Sequence, residues 1–170
     1  MHSPDRKPSA LGYALLTYMT LVIAAITLIP FDFRTQQGMA VSSTSSIADI
    51  VENIVLFVPL GFLFQVTRRR TGWWRPLLKA SCFGLLVSTT LEACQLFIPG
   101  RNSSVIDVAT NGLGALLGAT AATYLRAGER PAQTSLLFAF EMPLMNVVYL
   151  LIPRLWLNRL SMGAKFTVLG

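Results

Sequence analysis

Four stretches of the chain are almost unbroken in apolar residues: roughly Leu11 to Pro30, Ile47 to Val66, Leu77 to Ile98 and Val105 to Leu125. Each is about 20 residues long, the length an α-helix needs to cross a hydrocarbon layer about 30 Å thick. The gaps between them are short and polar. The pattern predicts an all-α membrane protein, a polytopic bundle of four transmembrane helices arranged as two tandem hairpins. A further apolar stretch, Leu136 to Ile152, is broken by Glu141, Pro143 and Asn146. It admits either a fifth crossing, which would place Arg154, Arg159 and Lys165 on the outer side, or a re-entrant or interfacial segment. On this reading residues 1–10 are an N-terminal tail, 11–126 a four-helix domain and 127–170 a C-terminal hydrophobic segment and tail.

Composition agrees with the pattern. The chain is 53% hydrophobic and 13% charged, with a mean hydropathy of +0.56, too apolar for an ordinary soluble domain. The net charge of +6 would suit a nucleic-acid partner only if it were gathered on one face, and it is dispersed among short loops, so none is expected. The distribution sets orientation instead. Arg6 and Lys7 precede the first span, and the second loop carries Arg68, Arg69, Arg70, Arg75 and Lys79 beside Trp73 and Trp74. The first and third loops hold only Arg34 and Arg101. The positive-inside rule then puts the N-terminus and the second loop in the cytoplasm. The first apolar run is long for a signal sequence, and Thr27-Leu28-Ile29-Pro30 is not a small-residue cleavage pattern, so it is expected to stay attached.

Several familiar chemistries lack their parts. Cys82 and Cys94 fall twelve residues apart on one predicted helix, about 18 Å by helical rise, beyond a disulfide's reach. The single histidine, His2, sits in a terminal tail, so neither a zinc site nor a Ser-His-Asp triad can be assembled in the usual way. No metal and no cofactor is expected.

Polar residues inside the spans are more informative. Ser46-Ile47-Ala48-Asp49-Ile50-Val51-Glu52-Asn53 lies over Ser104-Val105-Ile106-Asp107-Val108-Ala109-Thr110-Asn111, an offset of 58 residues. Each copy follows a helix ending in Ile-Pro, Ile29-Pro30 or Ile98-Pro99, and then an arginine, Arg34 or Arg101. Asp49 and Asp107 suit the unpaired N–H groups and positive dipole of a helix start. Asn53 and Asn111 lie one turn deeper on the same face, where an unpaired amide in hydrocarbon is costly.

The third span adds Glu92 and Gln95, three apart on one face. Counted back from Pro99, Glu92 lies about 10 Å below the helix end, near the expected depth of the two asparagines. If the N-terminus is inside, all of these gather in the outer half of the membrane with Arg101 above them. Two readings remain open. The residues form a ligand site, the default for charged groups at such depths, or a polar clasp that hydrogen-bonds the helices together, helped by Gly112, Gly114 and Gly118. Glu52 is adjacent to Asn53, rotated about 100° off its face.

In order and spacing, Asp49-x3-Asn53-x3-Phe57-x-Pro59-Leu60-Gly61-Phe62, Glu92-x2-Gln95, Pro99-x-Arg101 and Asp107-x3-Asn111-x2-Gly114-x3-Gly118 resemble the VanZ-like family of bacterial membrane proteins, over about residues 10 to 126. The resemblance implies a multi-pass protein of the bacterial cell membrane with a role in the cell envelope. The family's namesake is associated with low-level resistance to teicoplanin, a lipoglycopeptide that targets cell-wall precursors at the outer membrane face.

Asp49, Asn53, Glu92, Gln95, Arg101, Asp107 and Asn111 are therefore the expected ligand-binding residues. Membrane lipids, and a lipid-linked or lipopeptide ligand on the outer face, are the expected partners. Arg101 would pair a phosphate or carboxylate. An enzyme using Glu92 and Asp107 as acid and base ranks lower, because the sequence shows no nucleophile, metal site or cofactor motif. A small transporter is the third alternative.

Overall fold

The computed structural model describes residues 10–34, 41–42, 45–67, 74–101 and 103–127, together with Glu141, Leu144, Asn146, Val147 and Ile152. Four helices account for most of it: α1 (Ala10–Leu28), α2 (Ile47–Thr67), α3 (Trp74–Gln95) and α4 (Val105–Ala127). Each is long and apolar enough to cross a membrane. Two-residue strands, β1 (Val41–Ser42) and β2 (Ser103–Ser104), pair in parallel just before α2 and α4, Val41 with Ser103 and Ser42 with Ser104.

The helix ends follow local chemistry. Pro76 is accommodated in the first turn of α3, where its missing N–H costs nothing. Trp74, Arg75 and Lys79 therefore belong to α3 and not to the loop before it, while Arg68, Arg69, Arg70 and Trp73 lie outside the described residues. Arg75 stacks over the Trp74 ring at 5.5 Å. At its other end α3 stops at Gln95 and the chain turns through Ile98 and Gly100, whose φ of 77° is a conformation glycine adopts without strain. The Ile-Pro signatures thus mark turns after the helices and not their last residues. Ile29 and Ile98 are both buried, and the peptide before Pro30 is cis.

The core is an apolar seam between α1 and α2. Met19, Val22, Ile23 and Ile26 of α1 pack against Leu56, Phe57, Leu60 and Leu63 of α2, with Leu91 and Ala122 contributed by α3 and α4. On the flank, Phe64 stacks on Phe83 with ring centres 5.0 Å apart. Outward positions such as Leu21, Leu86 and Tyr124 are exposed, as expected of side chains that face lipid.

Helices α2 and α4 approach most closely, backbone against backbone. A methyl group at Gly61 would strike the carbonyl of Ala115, one at Gly114 the carbonyl of Ile54, and one at Gly118 the carbonyl of Val58. Small residues permit such approach and the close van der Waals packing that helps membrane helices associate. Lower on the same pair, Gln65 Nε2 donates to Thr123 Oγ1 at 3.0 Å, between positions 58 residues apart, the offset of the repeated motif. The contacts run in the same sense along both helices, so α2 and α4 are parallel neighbours.

Pro59 is buried within α2 and offers no N–H to the preceding turn. Three residues earlier the carbonyl of Leu56 accepts Asn146 Nδ2 at 3.1 Å. Asn146 is buried, and Val147 packs on the core. The C-terminal segment thus reaches the middle of α2 at these residues. Whether 136–152 spans the membrane lies outside the described residues.

Candidate functional site

The C-terminal ends of α1 and α3 meet the N-terminal ends of α2 and α4 at one end of the bundle. A cavity of about 360 Å³ opens among them, lined by Thr27, Ser45, Asp49, Glu52, Asn53, Leu56, Leu91, Glu92, Gln95, Gly100, Arg101, Ser104, Asp107 and Asn111. All seven residues expected from the sequence are in this lining. It is within the usual size range of small-molecule sites, toward the small end.

The two copies of the repeated motif build their helix starts alike and then diverge. Ser46 and Ser104 are the caps: their hydroxyls accept the N–H of Asp49 at 3.2 Å and of Asp107 at 3.4 Å. Caps of this kind contribute about 1 kcal/mol each. In the first copy Asp49 reaches back and its Oδ2 accepts both the N–H and the hydroxyl of Ser46, at 3.1 and 2.7 Å. That is a closed capping box.

In the second copy the N–H of Ser104 is taken by Glu92 Oε2 at 2.8 Å, from the neighbouring helix. Asp107 is then left to accept the hydroxyl of Ser45 at 2.7 Å. The same carboxylate position caps a helix in one hairpin and joins the two hairpins in the other.

Three expected residues tie helices together. Asn111 Nδ2 donates to Ser88 Oγ at 2.8 Å, joining α4 to α3, and Gln95 Nε2 donates to the carbonyl of Thr27 at 3.1 Å, joining α3 to α1. With Glu92 they make the clasp expected of interhelical polar groups in lipid. The clasp leaves two atoms over: Asn53 Nδ2 and Asn111 Oδ1 are buried and have no hydrogen-bond partner. They belong to equivalent positions of the repeat, one a donor and one an acceptor, and both residues line the cavity.

Three expectations need correction. Glu92 is shallower than Asn111, because α3 ends at Gln95 and not at Ile98; it meets the first residues of α4, and the residue level with Asn111 is Ser88, one turn further in. Glu52 does line the cavity. The wall formed by α2 is Asp49, Glu52, Asn53 and Leu56, spaced i, i+3, i+4 and i+7, one continuous helical face, so a rotation of about 100° from Asn53 does not take Glu52 out of it. The two loop arginines are not equivalent. Arg34 is exposed and paired with Asp32 at 2.8 Å, away from the lining, while Arg101 is half-buried at the cavity and donates to the carbonyl of Ile29 at 3.4 Å.

Thr27, Ser45 and Ser88 were not singled out from the sequence, whereas Ser104 opens the second copy of the repeated motif. Ser45 immediately precedes the first copy, and a serine just before an Asp-x3-Asn helix start was the available signal. Thr27 and Ser88 carry none, since hydroxyls at mid-helix ordinarily bond back to their own backbone.

Residues 8–126 match the VanZ/LLP1 family. The chain belongs to that family. The match contains every residue of the cavity lining and ends one residue before the end of α4. A curated relative, Protein VanZ of Enterococcus faecium, is 26% identical over 108 residues, covering 64% of this chain and 58% of the relative. The chain therefore spans less than two thirds of that relative's length. No solved structure matches the chain. As a VanZ/LLP1 member with four membrane-length helices, it is a multi-pass membrane protein.

Proposed function

We infer that this VanZ/LLP1 protein resides in the bacterial cytoplasmic membrane with its N-terminus inside, and that its cavity opens to the outer face. There it binds or shields a lipid-linked or lipopeptide ligand of the cell envelope. The charge bias of the sequence supports the orientation, since the loop at the opposite end holds Arg68, Arg69 and Arg70 with no acid. The relative named VanZ supports the envelope setting and, through the family resemblance, a contribution to glycopeptide resistance of the teicoplanin type.

One observation carries the reading. At the cavity, an amide donor on Asn53 and an amide acceptor on Asn111 are buried without partners. A buried polar atom left unsatisfied costs about 1–3 kcal/mol, and a ligand bridging both would recover it. Acid–base catalysis by Glu92 and Asp107 is the weaker reading, because Glu92 is already engaged in holding the start of α4.

Mass spectrometry of lipids retained by the purified protein tests the proposal. A species enriched on the wild type and lost from Asn53→Leu, at equal thermal stability, is the expected result. A lipid profile no different from that of an unrelated multi-pass protein purified alongside would end it.

A further inference from the structure

Charge at the cavity is lopsided in a way that bears on what it holds. Among the described residues, four of the chain's eight acids line it, Asp49, Glu52, Glu92 and Asp107, against one cation, Arg101. The other arginine described at this end, Arg34, is paired with Asp32. Residues 35–40, 43–44 and 102, which complete the adjoining loops, contain no charged residue. Helix dipoles do not restore the balance: the positive ends of α2 and α4, roughly +0.5 each, are offset by the negative ends of α1 and α3 at the same place. Two of the four carboxyls could carry protons and the lining would still be net negative.

A second feature points the same way. Asn111 is 4% exposed and lines the cavity, and its buried carbonyl oxygen has no donor. An oxygen acceptor beside carboxylates calls for N–H donors bearing positive charge. A bare metal ion fits poorly, because among the described residues no three acids, cysteines or histidines converge closely enough to hold one. The carboxylates are instead distributed around a space of molecular size.

We propose that the cavity selects a primary ammonium group, seated among these carboxylates with an N–H toward Asn111, while Arg101 takes the anionic part of the same molecule, as in a phosphoethanolamine head group. The proposal rests on the ligand-site reading above and reverses its emphasis. Arg101 orients the ligand, and the acids choose it.

The full chain in a non-ionic detergent is titrated with O-phosphoethanolamine, phosphocholine, glycerol 3-phosphate and inorganic phosphate, with binding read by calorimetry and by thermal stability. Phosphoethanolamine should bind best. Phosphocholine, whose methylated nitrogen has no N–H to give, should be weaker by at least about tenfold, as should the two amine-free phosphates. Asp107→Asn and Glu52→Gln should each weaken phosphoethanolamine by about tenfold or more while leaving unliganded stability near that of the wild type.

Retention of a primary-amine lipid through purification would assign the ammonium to a membrane lipid. Binding of soluble phosphoethanolamine with no such lipid retained would assign it to a soluble molecule. Equal binding of glycerol 3-phosphate or phosphate overturns ammonium selection while leaving a ligand site in place. No binding by any probe, with no lipid retained, defeats both this proposal and the site it rests on.

Discussion

Glu92 Oε2 accepts the backbone N–H of Ser104 at 2.8 Å, with both residues buried. One side chain of α3 thus fixes the point from which α4 departs. Glu92→Ala would leave that N–H without an acceptor and should lower stability by about 1–3 kcal/mol. Glu92→Gln keeps an oxygen in place and should cost clearly less. Thermal unfolding of the purified variants checks this; equal losses would mean that the charge, and not the hydrogen bond, holds the junction.

Glycine substitutions should divide sharply by position. Any side chain at Gly61 or Gly118 meets backbone of the partner helix, so even alanine should sharply reduce the amount of folded protein in the membrane. At Gly100 there is open space and only the positive φ to satisfy, so Gly100→Ala should cost roughly 1 kcal/mol and leave abundance nearly unchanged. Immunoblots of isolated membranes distinguish the two classes.

Arg101 separates binding from bracing. Its guanidinium donates to the Ile29 carbonyl at a long 3.4 Å, and the side chain is only half-buried. Arg101→Ala should abolish the ligand binding proposed for the cavity while membrane abundance and melting temperature stay close to those of the wild type. Binding lost in step with abundance would assign Arg101 to structure.

Orientation can be read with thiol reagents. In a background without Cys82 and Cys94, cysteine at the exposed Pro99 should react with an impermeant maleimide in intact cells, and cysteine at the exposed Arg75 should react only after lysis. Ser103, nearby, is a poor reporter because it is buried in β2. The reverse labelling would place the cavity on the cytoplasmic side.

Much of this molecule is visible in its sequence because membrane helices obey a simple length rule. The spans read from Ile47 and Val105 begin where α2 and α4 begin, since a serine cap followed by Asp three residues on marks a start unambiguously. Helix ends were less legible: Ile98 is as apolar as the residues before it, and only the turn geometry at Gly100 shows that α3 has already stopped. That error of three residues, about one turn, placed Glu92 too deep.

The clustering of Asp49, Asn53, Glu92, Gln95, Asp107 and Asn111 was accessible because carboxylates and amides in an apolar span have few places to go. What could not be read was the division of labour among them. Whether Asp49 turns back to its own cap or Asp107 outward to Ser45 depends on Glu92 arriving from another helix. A local pattern carries no information about that.

The close contact of α2 with α4 also limits how this protein can move. Transporters built from repeated helical units expose their sites alternately by rocking one unit against the other, a motion that side chains at the interface must repack to allow. Here α2 and α4 meet carbonyl to glycine at Gly61, Gly114 and Gly118, where there is little side-chain matter to repack. Contact of that kind resists rocking of one hairpin against the other.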